Sequence, residues 1–194
     1  MPPAATSTTL PTSVSRSALR LVLFGMPDAG KSSLLGALAQ AGQTQEHLLN
    51  GRLTDLSQGL VELERRLYEQ SPRETLEEVA PYPVVLETFA PPGEGRGAER
   101  LEAILVDCDG RVANDLLSRR RSLHQDNEGS LARAVLEADA LILAIDASAP
   151  EAQIETDFAE FGRFLDLLEH SRGTRTEVSG LPVFLVLTKC DLLA

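Results

Sequence analysis

The stretch that most constrains this chain is Leu19–Leu38, which reads LRLVLFGMPDAGKSSLLGAL. It joins an apolar run, a loop bounded by glycines and a helical pattern. Within it, Gly25–Ser32 spells GMPDAGKS and fits G-x-x-x-x-G-K-[ST], the pattern of a phosphate-binding loop, or P-loop. The N–H groups of such a loop point into one concavity at the positive end of the following helix. The pattern therefore predicts a strand, a P-loop and a helix that together bind a phosphate.

Apolar runs alternate with helical patterns over the rest of the chain. The predicted strands are Leu19–Phe24, Tyr82–Phe89, Leu101–Val106, Ala140–Ile145 and Leu181–Leu187. The predicted helices are Lys31–Ala41 with Gly42 as its C-cap, Gln43–Gln70 with a break near Asn50, Ser130–Ala138 and Pro150–His170. This alternation predicts an α/β fold with a mostly parallel sheet, helices on both faces, and ligands at the carboxyl ends of the strands. The loop Pro91–Gly97 predicts an antiparallel hairpin at one edge of the sheet.

Two apolar stripes support the longest predicted helices. Leu56, Leu60, Leu63 and Leu67 recur at helical spacing in the first of them. Ile154, Phe158, Phe161, Leu165 and Leu168 do so in the last. We expect the first stripe to pack against the sheet or a partner, and the second makes the last helix amphipathic.

Two further motifs directly follow predicted strands. Asp107–Gly110 fits D-x-x-G, in which the acid can hold Mg²⁺, usually through water, and the glycine N–H can reach a γ-phosphate. Thr188–Asp191 fits T-K-x-D. The Asp191 carboxylate can accept both N–H donors on the Watson–Crick edge of guanine, and the Lys189 stem can lie over the base. Adenine has no matching pair of donors, so a site built this way prefers guanine.

In this order, the three motifs resemble the G1, G3 and G4 motifs of the Ras-like P-loop GTPase superfamily (translation-factor-related class), from about Leu19 to the last residue. The P-loop is similar to those of Era-like GTPases and of signal-recognition-particle-receptor β-like and Arf-like proteins. The resemblance implies a Ras-like α/β domain that binds GTP or GDP with Mg²⁺. It also implies switch segments that sense the γ-phosphate, and a protein effector or activating partner.

The resemblance also implies roles for individual residues. The nucleotide-binding positions are Gly25, Met26, Pro27, Asp28, Ala29, Gly30, Lys31, Ser32, Ser33, Asp107, Gly110, Thr188, Lys189 and Asp191. The catalytic positions are Lys31, Gly110, Arg111 and Thr75, and the Mg²⁺ positions are Ser32, Asp107 and Thr75.

Four features depart from the family's pattern. Asp107 lies 82 residues after Gly25, which is long for a small GTPase, and the extra length matches a helical insertion around 43–72. Arg111 stands where the family often places Gln or His to orient water, and arginine cannot act as a base at neutral pH. Asp28 replaces the Asn of Era-like loops, which adds negative charge near the phosphates.

The fourth departure is the G2 threonine, which would bind Mg²⁺ in the GTP state. Thr75 is best placed for that role, since it shortly precedes the strand leading to Asp107. Thr54 is the alternative, and Thr88 lies inside a predicted strand.

Composition limits the partners of this 194-residue chain. Its net charge of -11 argues against nucleic acid or an anionic membrane as the main partner. No apolar window of about 18 residues exists, so we expect no direct membrane insertion. With two cysteines, the chain is expected in a reducing, cytoplasmic compartment, where parts outside it could still provide membrane association.

The domain organisation follows from the same comparison. Residues 1–17 are rich in Pro, Ser, Thr and Ala and are expected to be disordered. Residues 18–194 are expected to form the G domain without its C-terminal part, since the family continues past G4 with a G5 loop, a strand and a helix.

Three functions fit this sequence. The favoured one is a GTP-binding switch that hydrolyses GTP slowly or with a partner's help. The alternative is a guanine-nucleotide-binding scaffold that hardly turns over. The third is an ATP-using ATPase or kinase, against which Thr188–Asp191 argues.

Overall fold

The structure is a computed structural model that describes residues 18–69, 78–89, 99–118, 129–172 and 180–193. Its strands are β1 Leu19–Phe24, β2 Gly51–Asp55, β3 Val79–Thr88, β4 Arg100–Cys108, β5 Ala140–Asp146 and β6 Val183–Thr188. Its α-helices are α1 Lys31–Thr44, α2 Glu46–Leu49, α3 Gly59–Tyr68, α4 Gly110–Ser118, α5 Ser130–Leu136 and α6 Glu151–Arg172. A 3₁₀ turn, Cys190–Leu193, follows β6.

The strands form one sheet in the order β2-β3-β4-β1-β5-β6. β1 pairs in parallel with β4 and β5, and β5 pairs in parallel with β6. β3 is antiparallel to both β2 and β4. The predicted fold class is confirmed: an α/β fold with a mostly parallel sheet, an antiparallel pair at one edge and helices on both faces.

Each face of the sheet carries its own apolar core. On one face, α1 and α3 cover the sheet around Leu23, Leu35 and Leu60. On the other face, α4, α5 and α6 pack over β1, β4 and β5, where the rings of Phe24 and Phe164 stack with centroids 4.3 Å apart. The strand β1 is therefore buried on both faces, which fixes the start of the P-loop.

The helical prediction for Gln43–Gln70 is wrong over Gly51–Asp55, which forms β2. α2 ends at Leu49 and is capped by Asn50, whose φ of 49° is left-handed, and the chain then turns into the strand. β2 pairs with β3 and occupies the edge, so the predicted hairpin of β3 and β4 lies one strand inside it. α1 continues past the predicted cap at Gly42 to Thr44, since Gly42 instead makes room for the Leu53 side chain of β2.

The two predicted stripes are confirmed only in part. Leu60 is fully buried and Leu63 packs beside it, but Leu56 and Leu67 lie at the ends of the α3 region and are exposed. In α6, Phe158 is exposed. The inward positions of α6 are instead Phe161, Phe164 and Leu168, with Ile154 and Leu165 packed beside them. The outer strand β6 exposes Phe184, Leu185 and Leu187.

Candidate functional site

The P-loop lies where the sequence predicts it, between β1 and α1. Gly30 has a φ of 75°, and a Cβ there would lie 3.3 Å from the Thr188 Cβ, so both the backbone and the space favour glycine. Asp28 has a φ of 60°, a conformation that Asp tolerates better than most residues. The loop thus turns twice through left-handed conformations and enters α1 at Lys31.

Lys31 is held over its own loop. Its side chain is buried, and its Nζ donates hydrogen bonds to the carbonyl oxygens of Gly25 and Met26, at 2.9 Å each. These two bonds place an ammonium among the loop's N–H groups at the N-terminus of α1. An anionic group in the loop would meet the lysine charge and the helix dipole together.

Ser32, the second residue of α1, contacts Asp107 near the end of β4. The Ser32 hydroxyl donates to Asp107 Oδ2 at 2.5 Å, and Asp107 is fully buried at the end of β4. Asp107 Oδ1 accepts the N–H of Cys108 at 3.0 Å. A hydroxyl and a buried carboxylate in contact are the hard oxygen donors that suit Mg²⁺, which usually takes one or two protein ligands and completes its shell with water and phosphate. Among the described residues, no group of three or more His, Cys, Asp or Glu is placed to hold a metal ion.

The neighbouring thiol has a structural role. Cys108 is buried and its Sγ contacts the Leu23 carbonyl oxygen at 3.1 Å. Burial raises the pKa of this thiol to about 12, so it stays protonated and links β4 to β1.

The threonines proposed for Mg²⁺ have different positions. Thr75 lies outside the described residues. Thr54 is exposed on β2 and pairs with Val85, and the Thr88 N–H bonds the Glu99 carbonyl oxygen at the start of β4. Because Asp107 lies at the opposite end of β4, the structure does not bring Thr54 or Thr88 to the site.

Gly110 begins α4 in direct contact with the P-loop. A Cβ at Gly110 would lie 2.5 Å from both the Cα and the N of Pro27. The sequence interpretation recognised the D-x-x-G motif but did not predict that a helix starts at its glycine. The contact puts the N-terminus of α4 against the loop, where N–H groups favour an anion.

Arg111 is engaged with its near neighbour. Its guanidinium forms an ion pair with Asp109, with Nη2 2.8 Å from Oδ2 and Nε 3.1 and 3.2 Å from the two carboxylate oxygens. Hydrogen bonding by the Arg111 side chain is the main cause that lowers the pKa of Asp109 below its ordinary value. Arg111 is exposed, so in this arrangement its charge is neutralised by a carboxylate of the same motif.

The T-K-x-D motif touches the P-loop through its first residue. The buried Thr188 hydroxyl donates to the Ala29 carbonyl oxygen at 2.8 Å and lies 3.0 Å from that of Ile145. Lys189 has a φ of 55°, and Asp191 is exposed in the turn that follows. The carboxyl ends of β1, β4 and β6 therefore bring the three sequence motifs to one edge of the sheet, as predicted.

One residue of this edge was missed by the sequence interpretation. Asp146 ends β5, beside Thr188 of β6, and its Oδ2 lies 2.7 Å from the Lys189 Nζ. The signal was present in the sequence, because an acid directly after a buried parallel strand lies on the same edge as the other motifs.

A cavity of about 550 Å³ opens beside the P-loop, between α4 and α6. Its lining includes Pro27, Asn114, Asp146, Gln153 and Asp157. Asp157 is buried and accepts a 2.8 Å hydrogen bond from Gln153 Nε2. The cavity has a mixed polar and apolar lining and adjoins the loop on the side of Asp146.

No helix in the described part of the chain is both long enough and apolar enough to cross a membrane.

Comparisons with known proteins give little beyond these observations. No family model matches the chain, and no curated protein matches it. Among solved structures, it is similar to a chain of the signal recognition particle receptor SRb-GTP/SRX complex from Chaetomium thermophilum. The TM-score is 0.47 at 14% sequence identity, and the alignment covers 89% of this chain and 70% of the other.

Proposed function

We propose that this chain is a guanine-nucleotide switch that binds GTP or GDP with Mg²⁺ and hydrolyses GTP slowly or with a partner's help. The observation that carries the proposal is the hydrogen bond between Thr188 and Ala29, which joins the T-K-x-D motif to the P-loop. That bond holds the segment proposed to recognise the base beside the loop proposed to recognise the phosphates, and this adjacency supports a nucleotide as the ligand.

At the phosphate end, the chain supplies both positive charge and N–H groups. Lys31, already aimed at the loop's carbonyls, would transfer its hydrogen bonds to the β- and γ-phosphate oxygens. Ser32 and Asp107 are the residues that would hold Mg²⁺, Ser32 directly and Asp107 through water. When bound, the ion neutralises phosphate charge. The Gly110 N–H would donate to the γ-phosphate, so α4 would report the phosphate state.

At the base end, Asp191 would select guanine. Its carboxylate accepts the N1–H and the exocyclic N–H of guanine, and adenine would leave it unpaired. The stem of Lys189 would cover one face of the base. The left-handed backbone at Lys189 is costly for a non-glycine residue, and such strain is concentrated at functional sites.

Arg111 is the reason to propose slow or assisted hydrolysis. It occupies the position after D-x-x-G, cannot act as a base and is paired with Asp109. A second function is therefore worth testing: a scaffold that binds guanine nucleotides and hardly turns over. Single-turnover γ-phosphate release from bound GTP separates the two, because no release with any divalent cation, while GTP stays bound, would leave only the scaffold.

We further propose that the switch acts on a protein effector or is activated by one, in the cytoplasm. The readout would be movement of α4 and of the segment around Thr75. The Mg²⁺ role of Thr75 remains part of this proposal.

The base assignment is tested by Asp191→Asn. The wild-type chain should bind GDP at least about a hundredfold more tightly than ADP or XDP, because only guanine offers two donors to the carboxylate. The variant should lose GDP affinity and prefer XDP, since an amide pairs with the xanthine edge. Affinities are measured with fluorescent nucleotide analogues and unlabelled competitors.

Asp166→Asn, an exposed position on α6, serves as the charge-matched control and should bind GDP as the wild type does. Equal competition by ADP and GDP in the wild type, or an unchanged base preference in Asp191→Asn, would show that this motif does not read the base.

A further inference from the structure

Asp146 stands at the junction between the last two strands of the sheet. It pairs in register with Thr188, so the residue after Thr188 can reach its side chain. The N–H of Ala147 donates to the Thr188 carbonyl oxygen at 3.0 Å, which binds the end of β5 to the start of the T-K-x-D turn. The Lys189 Nζ then lies 2.7 Å from Asp146 Oδ2.

The two oxygens of Asp146 have different partners. Oδ1 accepts the N–H of Ser148 at 2.9 Å and its hydroxyl at 2.6 Å, which fixes the carboxylate in a tight turn. Oδ2 is thereby directed to Lys189. Partial burial alone would raise the pKa of Asp146, but the hydrogen bonds from Lys189 and Ser148 outweigh it and lower the pKa. The carboxylate is thus oriented and charged independently of any ligand.

Lys189 needs such an anchor. Its side chain has a flexible four-carbon stem and is 32% exposed, so an unpaired lysine there would sample many rotamers. Its left-handed φ of 55° sets the direction in which the stem leaves the backbone, and the ion pair fixes the far end. With both ends held, the stem of Lys189 has fewer rotamers open to it.

We propose that Asp146 is a positioning residue for guanine binding: it holds the Lys189 ammonium so that the stem covers the base, without touching the nucleotide itself. This inference rests on the proposed function, because it assigns a task to Lys189 within the guanine site. Preorganisation of this kind raises affinity by removing the cost of ordering the side chain on binding.

A double-mutant cycle on the 194-residue chain tests the inference. Asp146→Asn removes the charge at nearly the same volume, and Lys189→Met keeps the stem but removes the ammonium. Each should weaken GDP binding about three- to tenfold, the range for loss of one partly exposed ion pair and its ordering effect. In the Lys189→Met background, Asp146→Asn should have no further effect, because the group through which it acts is gone.

Ser148→Ala is a second, milder variant, which should weaken GDP binding in the same direction by loosening the carboxylate. Asp166→Asn is the charge-matched control and should leave GDP affinity unchanged. Thermal unfolding of each variant verifies that it is folded at the assay temperature.

The possible failures are distinct. If the wild type binds GDP and the effects of Asp146→Asn and Lys189→Met are additive, Asp146 has a merely structural role and the inference is overturned alone. Unchanged GDP affinity in Asp146→Asn overturns it as well. If the wild type binds no guanine nucleotide, the proposed function fails and the inference fails with it.

Discussion

The contact between Gly110 and the P-loop makes a sharp prediction about one methyl group. In Gly110→Ala, the new Cβ would lie 2.5 Å from the Cα and N of Pro27 and 2.7 Å from the carbonyl carbon of Met26. These are backbone atoms, and the ring of Pro27 restricts its own φ, so the loop cannot yield easily. Gly110 does not have a positive φ, so alanine fits its backbone and the contact alone causes the strain.

The size of the effect follows from that distance. Restoring an ordinary contact requires the start of α4 to move by about 1 Å, and overpacking of this kind typically costs about 1–3 kcal/mol. Movement of α4 is resisted because Ala113 is fully buried and Leu117 is nearly so in the core beneath it. The expected loss in the free energy of unfolding is therefore about 1–3 kcal/mol.

Gly162→Ala is the matched control. Gly162 lies within α6 and a Cβ there meets nothing within 4 Å. The same substitution should therefore stabilise the chain by up to about 1 kcal/mol through helix propensity. Urea denaturation of the wild type and both variants measures the two free energies, which should change in opposite directions.

The assay also reports on function. If the Gly110 N–H donates to the γ-phosphate, Gly110→Ala should weaken GTP binding more than GDP binding. Stability equal to the wild type in Gly110→Ala would refute the close contact between α4 and the loop. An equal loss of GTP and GDP affinity would refute the role of this N–H as a γ-phosphate sensor.

Substitutions at Thr188 and Ser32 test two hydrogen bonds that connect separate segments of the site. Thr188→Val removes the buried donor to Ala29 at nearly constant volume and should lower the free energy of unfolding by about 1–3 kcal/mol. Thr188→Ser keeps the hydroxyl and should lose less stability. The prediction is contradicted if urea denaturation gives Thr188→Ser a lower free energy of unfolding than Thr188→Val. Mg²⁺ should strengthen GDP binding by the wild type but not by Ser32→Ala. The measurement is the ratio of the GDP affinity with Mg²⁺ to that with EDTA. A ratio equal to that of the wild type would show that Ser32 does not bind the metal.

The sheet was predictable from sequence wherever burial is complete. Apart from Arg20 in β1 and Asp146 at the end of β5, these two strands are apolar on both faces, and such runs identify central parallel strands directly. β2 was not predictable, because only Leu53 of its five residues turns a large apolar side chain inward. The position of β2 depends on its pairing with β3 and on the space left by Gly42. Both are tertiary contacts, and the helical pattern of the surrounding sequence gives no sign of them.

The positions of the individual motifs could be predicted from the sequence, but the contacts between residues of different motifs could not. The P-loop, Asp107 and Thr188 each follow a strand, so their common edge follows from the topology of a parallel sheet. The bond from Thr188 to Ala29, the pairing of Asp146 with Lys189 and the contact of Gly110 with Pro27 are distances between separate segments. No periodicity along the chain encodes them.

The chain is acidic, whereas the ligand proposed for it is a polyphosphate anion. A net charge of -11 would repel a polyphosphate at long range, yet salt screens such a field within about 10 Å at 0.1 M. Affinity therefore depends on the groups in contact with the anion. Lys31 is held over the loop by two carbonyls and the N-termini of α1 and α4 both meet there, so these groups bring positive charge to the loop. Lys189 and Arg111 are each paired with a neighbouring carboxylate, which offsets their positive charge. Under the proposed function, phosphate recognition would rest on Lys31, the N–H groups and Mg²⁺. Substitutions at Ser32 and Gly110 therefore test that proposal more directly than changes in surface charge.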